Sequence, residues 1–209
     1  MSDQIESLLK TANSTNAPVN SVTSARRDMA DADAARELFG AVCSNLFDIK
    51  KWGEHSSPSD YVLFDRSGRD VSGQPIVEGA FIRISIYGSG KNDWVQVESI
   101  LRSENEMVIT VKPTYDPTAE PRDTGTISHF FHSEARNNFC VQLDGAVVNF
   151  YVIGLNERQN VSETESVVET VRNSAVANVG YYTGSQKAIW AEFSKNFLRT
   201  DEERADGKD

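Results

Sequence analysis

The sequence predicts an α+β domain, in which an antiparallel meander of about six strands packs against an N-terminal helix and two C-terminal helices. Hydrophobic residues recur at helical spacing near both ends of the chain, whereas the middle alternates apolar with polar residues as strands do. Short turn signals join the central segments, so neighbouring strands should run antiparallel. Because the helices precede and follow the sheet instead of alternating with its strands, the class is α+β.

Composition excludes several classes of function. Of the 209 residues, 39% are hydrophobic, which is enough for one substantial domain. No apolar run approaches the ~20 residues that span a bilayer, so no membrane partner is expected. The start, "MSDQIESLLK", does not follow the secretory-signal pattern, which predicts a cytoplasmic location or a particle assembled in the cytoplasm. The net charge of −10 repels phosphate groups, so we expect no nucleic-acid partner.

Three regions are predicted: a flexible N-terminal arm at 1–30, a single folded domain at 31–199 and an acidic tail at 200–209. Residues 11–30 are rich in Ser, Thr and Asn, and burying them yields too little to offset their ordering entropy. Ahead of them lies a short apolar helical face that could dock on its own domain or on a neighbour: Ile5, Leu8 and Leu9.

The folded region opens with an amphipathic helix predicted over residues 34–52. Asp31 or Asp33 can cap its N-terminus. Its apolar positions keep helical spacing: Leu38, Phe39, Val42, Leu46 and Ile49. Trp52-Gly53 is expected to end the helix, with Gly53 in the left-handed conformation.

The central segments read as strands. They are 61–65, 80–87, 93–100, 107–113, 138–144 and 146–154. Asp144-Gly145 predicts a tight hairpin between the last two. The one long interruption, at 114–127, is predicted to be a surface loop of possible functional interest.

The C-terminal part predicts two helices. Ser162 and Glu165 form a capping box that opens the first, which continues to about Tyr182. The second, over 185–199, carries the most apolar helical face of the chain: Ile189, Trp190, Phe193, Phe197 and Leu198.

The stretch "ISHFFH" contains two of the three histidines, His129 and His132. Their i, i+3 spacing would suit a metal site on a helix, and Glu134 could add a carboxylate. However, the segment approaches a strand, and no third strong ligand stands at a recognised spacing. We therefore expect no metal, and instead a pair of half-buried loop histidines around Phe130 and Phe131, which anchor the loop.

Catalytic signals are weak, and no residue is nominated for catalysis. "GSGKND" at 88–93 leads into a strand and predicts a turn, not a phosphate-binding loop. In "GLNERQN", Asn156 and Arg158 could bind a polar ligand, although turn chemistry accounts for most of the stretch. Cys43 and Cys140 lie in apolar stretches and are predicted to be buried free thiols. No cofactor is expected.

The order of elements resembles the helix-grip domains of the START and Bet v 1 class. An early helix ending in "KKW", a meander and a C-terminal aromatic helix carry the resemblance, over about residues 34–199. It implies a curved sheet closed around the last helix, with a hydrophobic ligand between them; some members are cyclases. Two features depart from the pattern: no strand is evident before the first helix, and "SETESVVETVRNSAVANVGYY" is an additional helix. "HFF" and "GLNE" also resemble stretches of small uncharacterised bacterial proteins.

Two functions follow as hypotheses, and a non-enzymatic role is favoured in both. The first is a binding domain for a small hydrophobic molecule held between sheet and C-terminal helix. Its candidate lining residues, which could also simply fill a core, are Trp94, Phe139, Phe150, Trp190 and Phe193. Its polar candidates are His129, His132, Asn156 and Arg158.

The alternative is a structural subunit of a larger assembly, such as a phage particle or secretion-type complex. Its N-terminal arm would contact other subunits, including copies of the same chain.

Overall fold

A computed structural model describes residues 4–14, 19–55, 59–86, 92–158, 160, 187–200 and 203. The helices are α1 (Gln4–Ala12), α2 (Ala32–Leu46), α3 (Ile49–His55) and α4 (residues 187–197). The strands are β1 (Ser21–Asp28), β2 (Ser59–Phe64), β3 (Phe81–Ile86), β4 (Asn92–Arg102), β5 (Glu106–Pro113), β6 (Arg136–Asp144) and β7 (Val147–Leu155). The predicted α+β class is confirmed. The helix predicted from the capping box at 162–165 lies outside the described residues.

The strands form one antiparallel sheet in the order β1-β7-β6-β5-β4-β3-β2. From β2 to β7 each strand pairs with the next along the chain, as the meander prediction requires. The hairpin predicted at Asp144-Gly145 is present: Asp144 pairs with Val147, and Gly145 takes a positive φ of 57°. A β-bulge lies between Val97 and Ser99 of β4.

The sheet has seven strands, one more than the six predicted, and the additional strand is β1. Residues 21–28, assigned to the flexible arm, pair antiparallel with β7 along their whole length, from Ser21 with Gly154 to Asp28 with Val147. As an edge strand, β1 has a neighbour on one side only, so its outward positions tolerate Arg26 and Asp28. This strand also supplies the element that the helix-grip resemblance lacked before the first long helix.

The single helix predicted over 34–52 is two helices. Asp31 caps α2 by accepting hydrogen bonds from the N–H groups of Asp33 and Ala34, at 3.0 and 2.9 Å. The break follows Leu46, where the Asp48 carboxylate caps α3 by accepting from Lys50 N–H at 3.0 Å. Gly53 does not end the helix and lies inside α3.

The main core lies on one face of the sheet, called here the inner face, and is covered by α2, α3 and α4. It includes Leu38, Phe39, Val42, Cys43 and Leu46 of α2, Ile49 and Trp52 of α3, and Trp190, Phe193, Phe197 and Leu198 at and after α4. The sheet contributes every second residue of its strands, among them Val95, Ile109, Phe139 and Phe150.

The opposite, outer face is covered in two places. Helix α1 buries Ile5 completely against Val108, Cys140 and Ile153, so the short apolar helix docks on its own domain. Elsewhere the loop between β5 and β6 covers Trp94, whose backbone N–H donates to the carbonyl of Ser128 at 2.8 Å. Cys140 and Cys43 are both buried free thiols, as predicted.

The end of α4 is tied to β1. The Arg27 guanidinium donates to the Leu198 carbonyl at 3.3 Å and to the Glu203 carboxylate at 2.5 and 2.8 Å. This ion pair lowers the pKa of Glu203 to about 2. The region predicted as a solvated acidic tail therefore contributes at least one acidic side chain to the folded structure.

Candidate functional site

The structure brings four of the five candidate lining residues together on the inner face. Phe139 and Phe150 project from β6 and β7, and α4 lays Trp190 and Phe193 over them. Ring centroids are 5.4 Å apart for Phe139–Trp190, 5.6 Å for Phe139–Phe193 and 5.8 Å for Phe150–Phe193. The spacing of Trp190 and Phe193 on one helical face explains why both meet the sheet. These rings form the sheet–α4 interface.

Trp52 is the residue of this cluster that sequence reasoning did not select. Its ring centroid lies 4.5 Å from that of Phe139 and 5.6 Å from that of Phe193. Its indole N–H donates to the Leu46 carbonyl at 3.0 Å, which satisfies a carbonyl at the C-terminus of α2. Trp52 lies three residues after the buried Ile49, on the same side of α3, and this helical spacing was the signal that could have selected it.

Trp94 does not belong to this site, which corrects the fifth candidate. Its side chain lies on the outer face in a separate cluster with Phe64 and Phe81, 5.1 Å from the Phe64 ring. Its neighbour Val95 is the residue of this pair that reaches the inner core. Because successive side chains of a strand point to opposite faces, the two cannot share a face.

The two histidines lie in the loop that approaches β6. His129 is half-buried, and its Nδ1 accepts a hydrogen bond from Phe131 N–H at 2.8 Å. Burial lowers the pKa of His129, which favours the neutral ring. His132 is exposed, whereas Phe131 is buried, 5.1 Å from the Phe130 ring. Among the described residues no group of three or more His, Cys, Asp or Glu could hold a metal ion.

Asn156 and Arg158 form the turn that leaves β7. Asn156 has a positive φ of 55°, a conformation in which Asn is favoured, and its N–H donates to the Asn20 side chain at 2.9 Å. The Arg158 carbonyl accepts from His132 N–H at 2.9 Å, while the Arg158 side chain is exposed. The turn thus joins the start of β1 to the histidine loop. Neither candidate side chain reaches the aromatic cluster.

Glu157, between these two residues, turns inward and was not selected from the sequence. It is 8% exposed, and its carboxyl group lies so close over Gly154 that a Cβ there would overlap it. Gly154 pairs with Ser21 of β1 on one side and with Asn137 of β6 on the other. Burial raises the pKa of Glu157. A glycine inside a strand, three residues before an acid, was the available signal, since such a glycine often marks a close approach.

Two buried polar atoms of this region have no hydrogen-bond partner within the described residues. They are Oε1 of Glu157 and Nε1 of Trp190, and each residue is 8% exposed. Leaving such a group unsatisfied costs roughly 1–3 kcal/mol, so each one calls for an explanation.

The two atoms belong to neighbouring rows of the inner face. Trp190 packs on Phe139, which pairs with Val152. Glu157 lies over Gly154, which pairs with Asn137 one row further along. The two rows are about 7 Å apart, since a strand rises ~3.4 Å per residue. An apolar aromatic row therefore meets a polar row at the end of the sheet where α4 begins.

Two concavities of the described part lie away from this interface. One is an open depression at Ala119–Arg122 in the long loop. The other is a cleft of about 30 Å³ under α1, lined by Gln4, Arg102 and Glu106 among others, and Glu106 Oε2 has no partner in the described part of the chain. The cleft is the size of one water molecule. The helices that the structure describes include none long and apolar enough to cross a membrane.

No protein-family model and no curated protein matches this sequence. A hypothetical protein of Helicobacter pylori has a similar crystal structure, with a TM-score of 0.51 at 10% identity over 90% of this chain and 91% of that chain. Truncated norcoclaurine synthase of Thalictrum flavum gives a TM-score of 0.38 at 10% identity, over 90% and 99% of the two chains. The di-domain ARO/CYC StfQ of the steffimycin biosynthetic pathway gives 0.45 at 10% identity, over 90% and 52%.

At this identity the Helicobacter pylori likeness shows the fold alone. The chain has the half-barrel arrangement of a helix-grip fold, with a curled antiparallel sheet and a C-terminal helix on its inner face. The resemblance seen in the sequence is confirmed at that level.

Proposed function

We propose that the chain is a non-enzymatic binding domain for a small hydrophobic molecule, held between the inner face of the sheet and α4. The molecule would lie at the end of the aromatic row, against Trp190 and Phe139. The observation that carries the proposal is the Trp190 indole N–H, which is buried in an otherwise apolar interface without an acceptor in the described residues. A bound molecule that offers one acceptor would remove that cost.

The chemistry of the surroundings supports an apolar ligand. The neighbouring inner-face residues Val111, Val152 and Phe139 are buried and have no side-chain polar atoms. Binding sites for small molecules are typically lined in this way, with few polar groups that orient the ligand. The net charge of −10 disfavours an anionic ligand.

The alternative, a structural subunit using its N-terminal arm, finds less support in the structure. The apolar side of α1 packs on the chain's own β7 and β1, and residues 21–28 complete the chain's own sheet. The apolar side of α1 and residues 21–28 of the proposed arm are thus used within the domain.

The test combines native mass spectrometry with an NMR titration. The chain, purified without denaturation, is expected to retain a small molecule or to bind added toluene. Toluene should shift the Trp190 indole N–H resonance, assigned with Trp190→Phe, and leave that of Trp94 unchanged, because Trp94 lies on the outer face. Absence of both a retained molecule and a toluene shift would refute the proposal. A multi-subunit particle without a small molecule would favour the structural alternative.

A further inference from the structure

We propose that Glu157 and Trp190 together select a ligand that carries a hydroxyl group, an alcohol or a phenol, on its apolar body. This inference rests on the proposed function and names the class of ligand. Its basis is a pair of complementary groups, one hydrogen-bond acceptor and one donor, both buried and both without partners in the described structure.

Glu157 supplies the acceptor. Its carboxyl group lies over Gly154, which has no side chain and leaves the space that the group occupies. Gly154 pairs with Ser21 on β1 and with Asn137 on β6, so the carboxyl group is placed within the sheet and not at its edge. The backbone N–H of Glu157 donates to the Val19 carbonyl at 2.9 Å, which fixes the main chain. The carboxyl group is thus held over the inner face, and its Oε1 has no partner in the described residues.

Trp190 supplies the donor. Its indole ring is held against Phe139 at 5.4 Å and Phe193 at 5.5 Å, so the N–H cannot turn to water without losing these contacts. An indole N–H donates and never accepts. A ligand group beside it must therefore offer a lone pair.

A hydroxyl group meets both demands, since it donates one hydrogen bond and accepts others. An ammonium group would suit Glu157, but it has no lone pair for the Trp190 N–H. A ketone would suit Trp190 but has no hydrogen for Glu157. Glu157 lies over Gly154, the pairing partner of Asn137, and Trp190 packs on Phe139, two residues further along the same face of β6. Both groups therefore serve one end of the interface.

The experiment compares three probes of the same size on the full chain: toluene, benzyl alcohol and benzylamine, each titrated by NMR. Wild type is expected to bind benzyl alcohol at least about fivefold more tightly than toluene, the usual worth of one net hydrogen bond, because the hydroxyl group makes two. Trp190→Phe removes the donor and keeps an aromatic ring. Glu157→Met removes the acceptor and keeps a side chain of similar length. Each variant should lower the ratio of the two affinities, and the double variant should bring it close to one.

The matched control is Glu134→Met, which makes the same change at an exposed glutamate of the loop before β6 and should keep the wild-type ratio. If toluene and benzyl alcohol bind wild type equally, the inference fails and the proposed function stands. Tightest binding of benzylamine would overturn it in favour of a cationic ligand. An alcohol preference that survives in the double variant would refute the assignment to these two residues. If no probe binds and no molecule is retained, the proposed function fails as well.

Discussion

Replacing Phe193 by alanine tests whether α4 is held on the inner face of the sheet. Phe193 is fully buried, and its ring lies within 5.8 Å, centroid to centroid, of five other aromatic rings. These rings belong to α3, β6, β7 and α4 itself: Trp52, Phe139, Phe150, Trp190 and Phe197. A cavity at their centre cannot close without moving several elements.

The expected loss of unfolding free energy follows from this environment. Deleting a large buried aromatic side chain costs about 3–5 kcal/mol, and the cost rises with the cavity that remains. Because partners surround Phe193 on several sides, we expect the upper half of that range, about 4–5 kcal/mol. Domains have roughly 5–15 kcal/mol in total, so the variant should be close to unfolding at ambient temperature.

Urea unfolding followed by tryptophan fluorescence measures the effect. With a slope of about 2 kcal/mol per molar urea, the midpoint should fall by about 2 M. Lys195→Ala, an exposed position on the same helix, should change the stability by less than ~0.5 kcal/mol. A loss below about 1 kcal/mol for Phe193→Ala would mean that α4 does not pack on its own sheet. The helix face would then be a surface for another molecule.

Three further outcomes are expected. Deleting residues 1–13 removes α1, so a thiol reagent should label Cys140, while Cys43, on the buried side of α2, stays protected. Equal protection of both thiols in mass spectra would show that α1 is not the cover. Gly154→Ala should lower the free energy of unfolding by roughly 1–3 kcal/mol, because the added methyl group overlaps Glu157. Most of this loss should vanish in a Glu157→Ala background, and additive losses in the double variant would refute the contact. The raised pKa of Glu157 means that its contribution to stability is present at low pH and is lost as pH rises through that pKa. Glu157→Gln should therefore gain Tm relative to wild type from pH ~4.5 to 7, and a constant difference across this range would contradict the burial of the charge.

Local periodicity was sufficient for most of the fold. Strands β2 to β7 were all placed from their alternation, and the apolar face of α4 from its helical spacing. These patterns are local because a half-buried strand or helix must present one apolar side whatever lies opposite it. The sheet and α4 carry the largest apolar surfaces of the chain, so the sequence also predicted that they pack together. The contacts of Phe139 and Phe150 with Trp190 and Phe193 are part of that interface.

The break between α2 and α3 was also encoded locally, in Asp48, but was overlooked. An aspartate inside an apolar helical pattern can sit on the surface or cap a new helix, and the apolar spacing continues across it. Trp52 keeps the apolar spacing, three residues after Ile49, so its burial follows from the local pattern. Its aromatic partners Phe139 and Phe193 come from β6 and α4, so its place at the centre of the cluster depends on the assembled fold.

The tertiary structure decided what depends on distant partners. The polar sequence of β1, "SVTSARRD", forms a strand because β7 offers it an unpaired edge. Alternation places Trp94 and Val95 on opposite faces, but only the packing of the helices determines which face is inner. The outer face can also carry apolar side chains there, because the loop between β5 and β6 covers them. The burial of Glu157 depends on the space over Gly154, which Ser21 and Asn137 flank only after three strands have paired. Sequence pattern determines which side of an element is apolar, because that property belongs to the element itself. The place where a polar group can be buried belongs to the assembled sheet, because its hydrogen-bond partners come from other strands.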